Sequence, residues 1–267
     1  MGNKDTSREV WASGDSYEPY VGRWSRIVAQ KFIRWLALPE ESQWLDVGCG
    51  TGALCQTILD LANPQKVRGF DRSEDYVEYA RSRVNDLRAV FEIGDAQALP
   101  VDSETYDAAV SGLVLNFVPQ PSLMVAEMAR AVRKGGIIAL YVWDYAGKMQ
   151  LMRHFWNAAE ALDPAAHDLD EGRRFPICNP NSLAALFQSS GFSGVEVRPI
   201  DISTDFKDFD DYWSPFLGGQ APAPAYLMSL SEERRAQLRE RIYNSLPFAL
   251  DGSIPLVARA WAVRGTR

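Results

Sequence analysis

The chain is poor in the residues that build metal centres and disulfide frameworks. It holds two histidines, His154 and His167, and three cysteines, Cys49, Cys55 and Cys178. The cysteines form no pair at metal-ligand spacing and leave an odd count, so neither a bound metal nor a set of bridges is expected. They fit a reducing, cytoplasmic setting, with Cys49 and Cys55 as small core residues. No apolar run approaches the length of a membrane span. Met1 to Ser16 is polar and lacks the apolar stretch of a signal peptide. Dense basic runs are missing too: 28 Lys and Arg face 35 Asp and Glu, for a net charge of −7. Arg234-Arg235 and Arg239 to Arg241 are interleaved with glutamates, as on a solvated helix face. That balance weighs against a nucleic-acid partner.

What is present suffices for a sizeable core. Of 267 residues 46% are hydrophobic and 24% charged, which suits one large domain or a domain with a cap. Trp24, Ile27, Val28, Phe32, Trp35 and Leu36 recur at helical spacing over 22–36, and Pro39 closes that helix. Strand and helix signals then alternate. Strands are expected at 43–47, 66–70, 90–93, 106–110 and 137–142. Helices are expected at 52–61, from the Ser73 and Asp75 caps to Val84, and at 122–132, ended by Gly135-Gly136. Residues 144–179 carry no strand signal and read as a helical insertion, followed by a helix at 180–190 and a strand at 194–202. Residues 206–244 look helical around a turn cluster at 218–224, and a last strand spans 254–263. The β-α-β alternation predicts a doubly wound α/β sheet of seven strands, mostly parallel. With no long crossover before it, the last strand is expected as an antiparallel edge.

The most informative stretch is Trp44-Leu45-Asp46-Val47-Gly48-Cys49-Gly50-Thr51-Gly52. A buried strand ends on an acid, and glycines then alternate into a helix. Glycine permits both the sharp turn and close approach of a ligand to bare backbone. The helix start offers unpaired N–H groups. A dinucleotide site would show G-x-G-x-x-G, and an acid inside the turn would repel a pyrophosphate. Asp46 instead suits a ligand carrying an ammonium and a sulfonium, as S-adenosylmethionine does.

Five ordered motifs carry a family resemblance: Leu45 to Gly52, Gly69-Phe70-Asp71, Gly94 to Pro100, Tyr106-Asp107 and Val132 to Gly136. Through them, from Tyr20 to Val142, the chain resembles class I S-adenosylmethionine-dependent methyltransferases. It is similar in particular to the small-molecule branch related to ubiquinone and menaquinone biosynthesis. The resemblance implies a Rossmann-like core at 1–145 with an N-terminal lid helix. It also implies substrate-side insertions with the sixth strand at 146–253 and a final edge strand at 254–267. S-adenosylmethionine is the implied cofactor. Gly48, Cys49, Gly50 and Gly52 would lie along its methionine part and Asp46 near its ammonium. Asp71 would accept from the ribose hydroxyls, and Asp95 with the Ala96 N–H would face the adenine. Ser111 and Gly112 would pass beneath the sulfonium. Tyr20 and Arg23 belong to a closing segment, with Arg23 reaching the methionine carboxylate. Arg72 departs from the apolar residue often found after the ribose acid and would stack its plane there. Simpler readings stand beside these: Asp46 and Asp95 as turn residues, Asp71 as a helix-start acid, Arg23 as a salt-bridge partner. Asp107, at a strand start, reads as structural.

The activated methyl group comes with such a cofactor, so the protein chiefly aligns an acceptor and excludes water. An oxygen acceptor would gain from a general base. His154, in the insertion, is one candidate, against a plain helix histidine; Asp144, Asn116 and Tyr145, at the carboxyl ends of strands four and five, are others. Tyr17, Trp24, Trp143, Phe155, Trp156, Tyr212, Trp213 and Phe216 could line a pocket for a flat or apolar small-molecule acceptor, or serve as cap core. The competing functions are a non-catalytic cofactor-binding module, a methyltransferase of protein or RNA, and a nicotinamide oxidoreductase.

Overall fold

A computed structural model describes residues 22–218 and 221–267, so Tyr17 and Tyr20 lie outside the described residues. Helix α1 (Arg23–Leu36) buries Trp24, Val28, Phe32 and Leu36 with Ala29 and Ile33, two rows at four-residue spacing that form one apolar stripe. The alternation then runs through β1 (Gln43–Val47), α2 (Ala53–Leu61), β2 (Lys66–Asp71), α3 (Glu74–Arg83), β3 (Ala89–Ile93), β4 (Tyr106–Gly112), α4 (Pro121–Ala131) and β5 (Val132–Trp143). After α5 (Gln150–Leu162), the short α6 (Glu171–Arg174) and α7 (Pro180–Ser189) comes β6 (Ser193–Phe206). Helices α8 (Phe209–Trp213), α9 (Pro222–Ser229) and α10 (Glu232–Ser245) lead to β7 (Ile254–Thr266).

The strands form one seven-stranded sheet in the order β3-β2-β1-β4-β5-β7-β6. The first five are parallel: β1 pairs with both β2 and β4, and those two pair outward with β3 and β5. The order reverses between β1 and β4. In a doubly wound sheet the carboxyl ends of the strands flanking that reversal leave a crevice for a ligand.

Two local expectations are revised. β7 is antiparallel to β5, from Ile137 opposite Thr266 to Trp143 opposite Ala260, but it is not the edge. It lies between β5 and β6, and its alternate residues Leu256, Ala258, Ala260 and Ala262 are buried. The outermost place goes to β6, whose first half is largely exposed, as an edge strand tolerates. The second revision concerns Gly135-Gly136. The chain enters β5 at Val132, opposite Tyr106, and the glycines fall inside the strand, where the register slips before Ile137 meets Ala108. A Cβ at Gly136 would stand 2.6 Å from the Asp107 carbonyl oxygen, so the irregularity depends on a residue without one.

Asp107 takes the structural role expected of it. Its Oδ2 accepts the Gln43 N–H at 2.7 Å and its Oδ1 pairs with Arg133, tying the starts of β1, β4 and β5 together. Asp107→Ala is expected to cost about 1–2 kcal/mol of stability. Urea unfolding would measure that loss, and calorimetry should find cofactor affinity unchanged.

Contacts divide the chain into two units. The sheet unit holds 24–144, 176–202 and 259–267; the helical unit holds Arg23, 145–175 and 203–258. Compared with the expected division, 176–202 joins the sheet unit, while Arg23, Tyr145 and 254–258 join the helical unit.

The helical unit is built on the aromatics expected around an acceptor. Phe155 stacks on Phe216 at 4.7 Å between centroids, Trp156 stands edge-on to Phe155, and the Tyr212 hydroxyl donates to the Leu151 carbonyl at 2.9 Å. Phe155, Trp156, Tyr212 and Phe216 are all 0% exposed, and Trp213 is also buried. These five side chains form a core, which corrects the pocket-lining reading for them. Trp143 is buried on β5, and Trp24 on α1 is 9% exposed.

Candidate cofactor site

β1 ends at Val47, and the chain reverses beneath the end of β2. Gly48 and Cys49 both donate their N–H to the Phe70 carbonyl, at 2.7 and 2.9 Å. Gly48 has φ +78°, and a Cβ there would sit 2.5 Å from a methyl of Val114, so internal packing requires this glycine. Gly50 is different. Its φ is +50° and, its chain neighbours aside, no described residue lies within 4 Å of where its Cβ would be, while its N–H donates to Asp71 Oδ2 at 2.9 Å. No neighbour demands a bare backbone here, which is what a ligand-approach position requires. Helix α2 starts from Gly52, which brings no side chain to cap the first turn.

Two carboxyl groups flank the turn. Asp46 is 0% exposed. Its Oδ2 accepts the Cys55 thiol at 3.1 Å, and its Oδ1 has no partner among the described residues. Burial pushes its pKa up to about 7, against the lowering effect of the Cys55 bond. Asp71 receives the Gly50 N–H on one oxygen and the Ser73 N–H, at 2.9 Å, on the other. Burial raises its pKa, and those two donors with the Arg72 charge oppose the rise. Each oxygen keeps a second lone pair for a hydroxyl. Arg72 is exposed.

The Asp71 carbonyl accepts the Gly94 N–H at 2.9 Å and thereby links β2 to the loop after β3. There Asp95 is exposed, and its Oδ1 accepts the Gln97 N–H at 2.9 Å, closing a turn over Ala96. Helix α4 clamps the same loop: Glu127 accepts the Leu99 N–H at 2.8 Å, and Arg130 donates to the carbonyls of Leu99 and Val101. The Arg130 guanidinium holds the Glu127 carboxyl below its usual range.

At the end of β4 the Ser111 hydroxyl is committed to the Val47 carbonyl at 2.6 Å, so it braces β4 against β1. Gly112 leaves room for the Tyr141 ring, since a Cβ would lie 2.5 Å from that hydroxyl oxygen. Leu113 follows at φ +64°, a left-handed conformation costly for a branched side chain, and Val114 then packs on Gly48. Asn116 sits in the 3-10 turn Leu115–Phe117, and both its Oδ1 and Nδ2 are buried without a partner among the described residues. Asp144, just past β5, is 8% exposed and donates its N–H to the Arg259 carbonyl. Burial of the Cys178 thiol pushes its pKa up, and the Asp144 charge adds to the rise.

The sheet unit thus gathers Asp46, Gly48 to Gly52, Asp71, Asp95, Ser111, Gly112, Asn116 and Asp144 at carboxyl ends of neighbouring strands. Arg23 and His154 belong to the helical unit. Arg23 pairs with Asp211 at 2.9 Å and lies over the Phe206 ring at 4.9 Å. His154 Nδ1 meets the Ser245 hydroxyl at 3.3 Å, and burial lowers its pKa, favouring a neutral ring at pH 7. Sequence reasoning placed Cys55 in the core but did not give it the Asp46 bond. A small polar-capable residue among Leu54, Ile58 and Leu59 on the buried face of α2 was the available signal.

This donor set suits S-adenosylmethionine. A buried carboxyl with one open oxygen matches an ammonium, and bare backbone at Gly50 admits an extended tail. Acceptors on Asp71 match ribose hydroxyls. Two carboxyls flanking one turn would oppose a diphosphate.

Fold and site together define a methyltransferase of the S-adenosylmethionine-dependent kind, and comparison with known proteins agrees. Residues 45–140 match the family model described as "Methyltransferase domain". An uncharacterised protein of a Streptomyces fradiae transposon is 39% identical over 166 residues, 61% of this chain and 47% of that protein. The demethylmenaquinone methyltransferase of Roseiflexus castenholzii is 29% identical over 180 residues, 62% of this chain and 74% of the enzyme. The chain therefore spans about half of the first relative and about three quarters of the second. The fold is shared with phosphoethanolamine N-methyltransferase 2 of Haemonchus contortus, solved with S-adenosyl-L-methionine. The TM-score is 0.59 at 15% identity, covering 95% of this chain and 56% of that one. Over residues 45–140 the chain matches the methyltransferase domain, and over a longer stretch it is similar to the menaquinone-biosynthesis methyltransferases.

Proposed function

We propose that the chain binds S-adenosylmethionine at the Gly48 to Gly52 turn and methylates a small-molecule acceptor at the carboxyl ends of β4 and β5. The observation that carries the acceptor side is Asn116, whose buried amide has both its donor and its acceptor open among the described residues. An unmet buried amide costs about 1–3 kcal/mol per group, which a bound acceptor would recover. The small size of the acceptor is supported by the net charge of −7 and by a relative named for a quinone precursor. A cytoplasmic setting accords with Cys49, Cys55 and Cys178, all buried as free thiols. No helix among the described residues is long and apolar enough to cross a membrane.

In this reading the bound cofactor supplies a methyl group already activated by its sulfonium. The chain's residues then bind and orient. Asp46 holds the ammonium, Asp71 the ribose hydroxyls, and Asp95 with the Ala96 N–H the adenine. Asn116 fixes the acceptor's direction of approach. Asp144, buried beside the end of β5, takes a proton from the acceptor in this reading. His154 contributes through its Ser245 contact, so His154→Ala should keep turnover within about threefold of the parent. A larger loss in kcat with an unchanged fold would restore it as the base.

Incubating the protein with methyl-labelled cofactor and a cell extract tests the proposal. Label should appear in a low-molecular-weight product. Label confined to protein or RNA would replace the small-molecule reading, and tight binding without any product would point to a binding module.

A further inference from the structure

We propose that Cys55 is a positioning residue of the cofactor site: its thiol holds one oxygen of the Asp46 carboxylate and leaves the other for the cofactor's ammonium. The proposal rests on the reading that Asp46 faces that ammonium. Its geometry is that of a half-finished interaction. Asp46 and Cys55 are both 0% exposed, and the Sγ to Oδ2 contact is 3.1 Å. Oδ1, equally buried, meets no donor among the described residues.

A strand carboxyl this deep is ordinarily matched by an arginine or by several N–H groups, because a buried charge is costly until it is paired. Among the described residues no arginine meets Asp46, and the one backbone N–H acting on it is that of Cys55. Its parallel neighbours across the sheet are Gly69 on β2 and Val110 on β4, which bring no charge. The titratable groups facing it are Asp71 from β2, Cys49 from the glycine turn and Cys55 from α2. Asp71 raises the Asp46 pKa, and Asp46 raises those of both thiols. Among the described residues Cys55 alone brings favourable contacts, through its thiol and its backbone N–H, and a thiol is a weak donor. That donor fixes the carboxyl's orientation and favours its ionised form, yet leaves it short of a full complement. The missing partner is a cation at Oδ1.

A proton and the ammonium therefore compete for one carboxyl. Below pH 7, where Asp46 takes up a proton, cofactor affinity should fall by up to about tenfold per pH unit. Above about pH 8 it should fall again as the ligand's own α-amino group loses its charge. Removing the thiol donor makes the ionised carboxyl harder to hold, so the acid limb moves upward. Replacing the thiol with another donor keeps the limb in place.

The experiment is calorimetric titration with S-adenosylhomocysteine from pH 5.5 to 8.5 on the full chain and on Cys55→Ala, Cys55→Val and Cys55→Ser. Valine fills the thiol's space without a donor and serves if the alanine cavity unfolds the chain. The expected result is an acid limb in the parent, its upward displacement in Ala and Val, and its recovery in Ser. At pH 6.5 the donor-less variants should bind about tenfold more weakly than the parent. At pH 7.5 the gap should narrow. Loss of packing alone would change the melting temperature and leave the limb's midpoint unmoved. Coinciding acid limbs in parent, Ala and Val overturn the proposal. A parent that binds but shows no acid limb overturns the reading of Asp46 instead, which separates the two failures.

Discussion

Gly50→Val is expected to reduce S-adenosylhomocysteine affinity by more than about 100-fold, or about 2.7 kcal/mol, while the protein stays folded. The two effects separate because the glycines of the turn serve different ends. At Gly48 a Cβ would drive into Val114 at 2.5 Å, so substitution there damages the fold itself. At Gly50 no atom of the described residues, its two chain neighbours aside, lies within 4 Å of the new Cβ. The cost to the fold is then the left-handed backbone, φ +50°, which a β-branched residue adopts at about 1–2 kcal/mol. The valine methyl groups occupy the space along which the cofactor's tail must pass. Circular dichroism and thermal melting would establish the fold, and calorimetry the loss of binding. A Gly50→Val protein that bound at the parental level would place the ligand elsewhere.

Asp71→Ala should weaken binding by about 1.5–3 kcal/mol, roughly 10- to 150-fold, the range of charge-assisted hydrogen bonds. Asp71 does two jobs, since its oxygens also receive the N–H groups of Gly50 and Ser73 at 2.9 Å. The variant should therefore lose about 1–2 kcal/mol of stability as well. The ribose contribution can be separated from the scaffold contribution by a ligand lacking both ribose hydroxyls. On the parent that ligand should bind as poorly as the natural one binds to Asp71→Ala. On the variant, deleting the hydroxyls should cost little more, because the two changes remove the same contact. Fully additive losses would mean that Asp71 shapes the turn without touching the ribose.

The glycine turn was legible in sequence because its requirements are local. Positive φ at Gly48, Gly50 and Gly52 and an acid at the end of β1 follow from backbone sterics and from the apolar run before them. The parallel strands were legible for a similar reason, since each is a short apolar run between a turn and an amphipathic helix. What stayed hidden depends on who meets whom at long range. Ser111 could not be known to spend its hydroxyl on Val47, 64 residues earlier, rather than on a ligand. The place of β7 between β5 and β6 depends on which of two late strands has the more buried face. The aromatics of the helical unit carry one composition whether they line a cavity or fill a core, and only their mutual stacking decides. Cys55 looked like an ordinary core residue until α2 laid its thiol against Asp46. Leu113, forced to φ +64° beside the turn, shows no sign in the sequence at all.

Most of the site therefore rests on one pairing, that of Asp46 with the amino group of the cofactor. Calorimetry at pH 7.5 with S-adenosylhomocysteine and with its analogue lacking that amino group tests it directly. The account predicts one-to-one binding of the first, binding at least about tenfold weaker for the second, and loss of that preference in Asp46→Asn. Equal affinity for the two ligands, or no binding of either by folded protein, would contradict it.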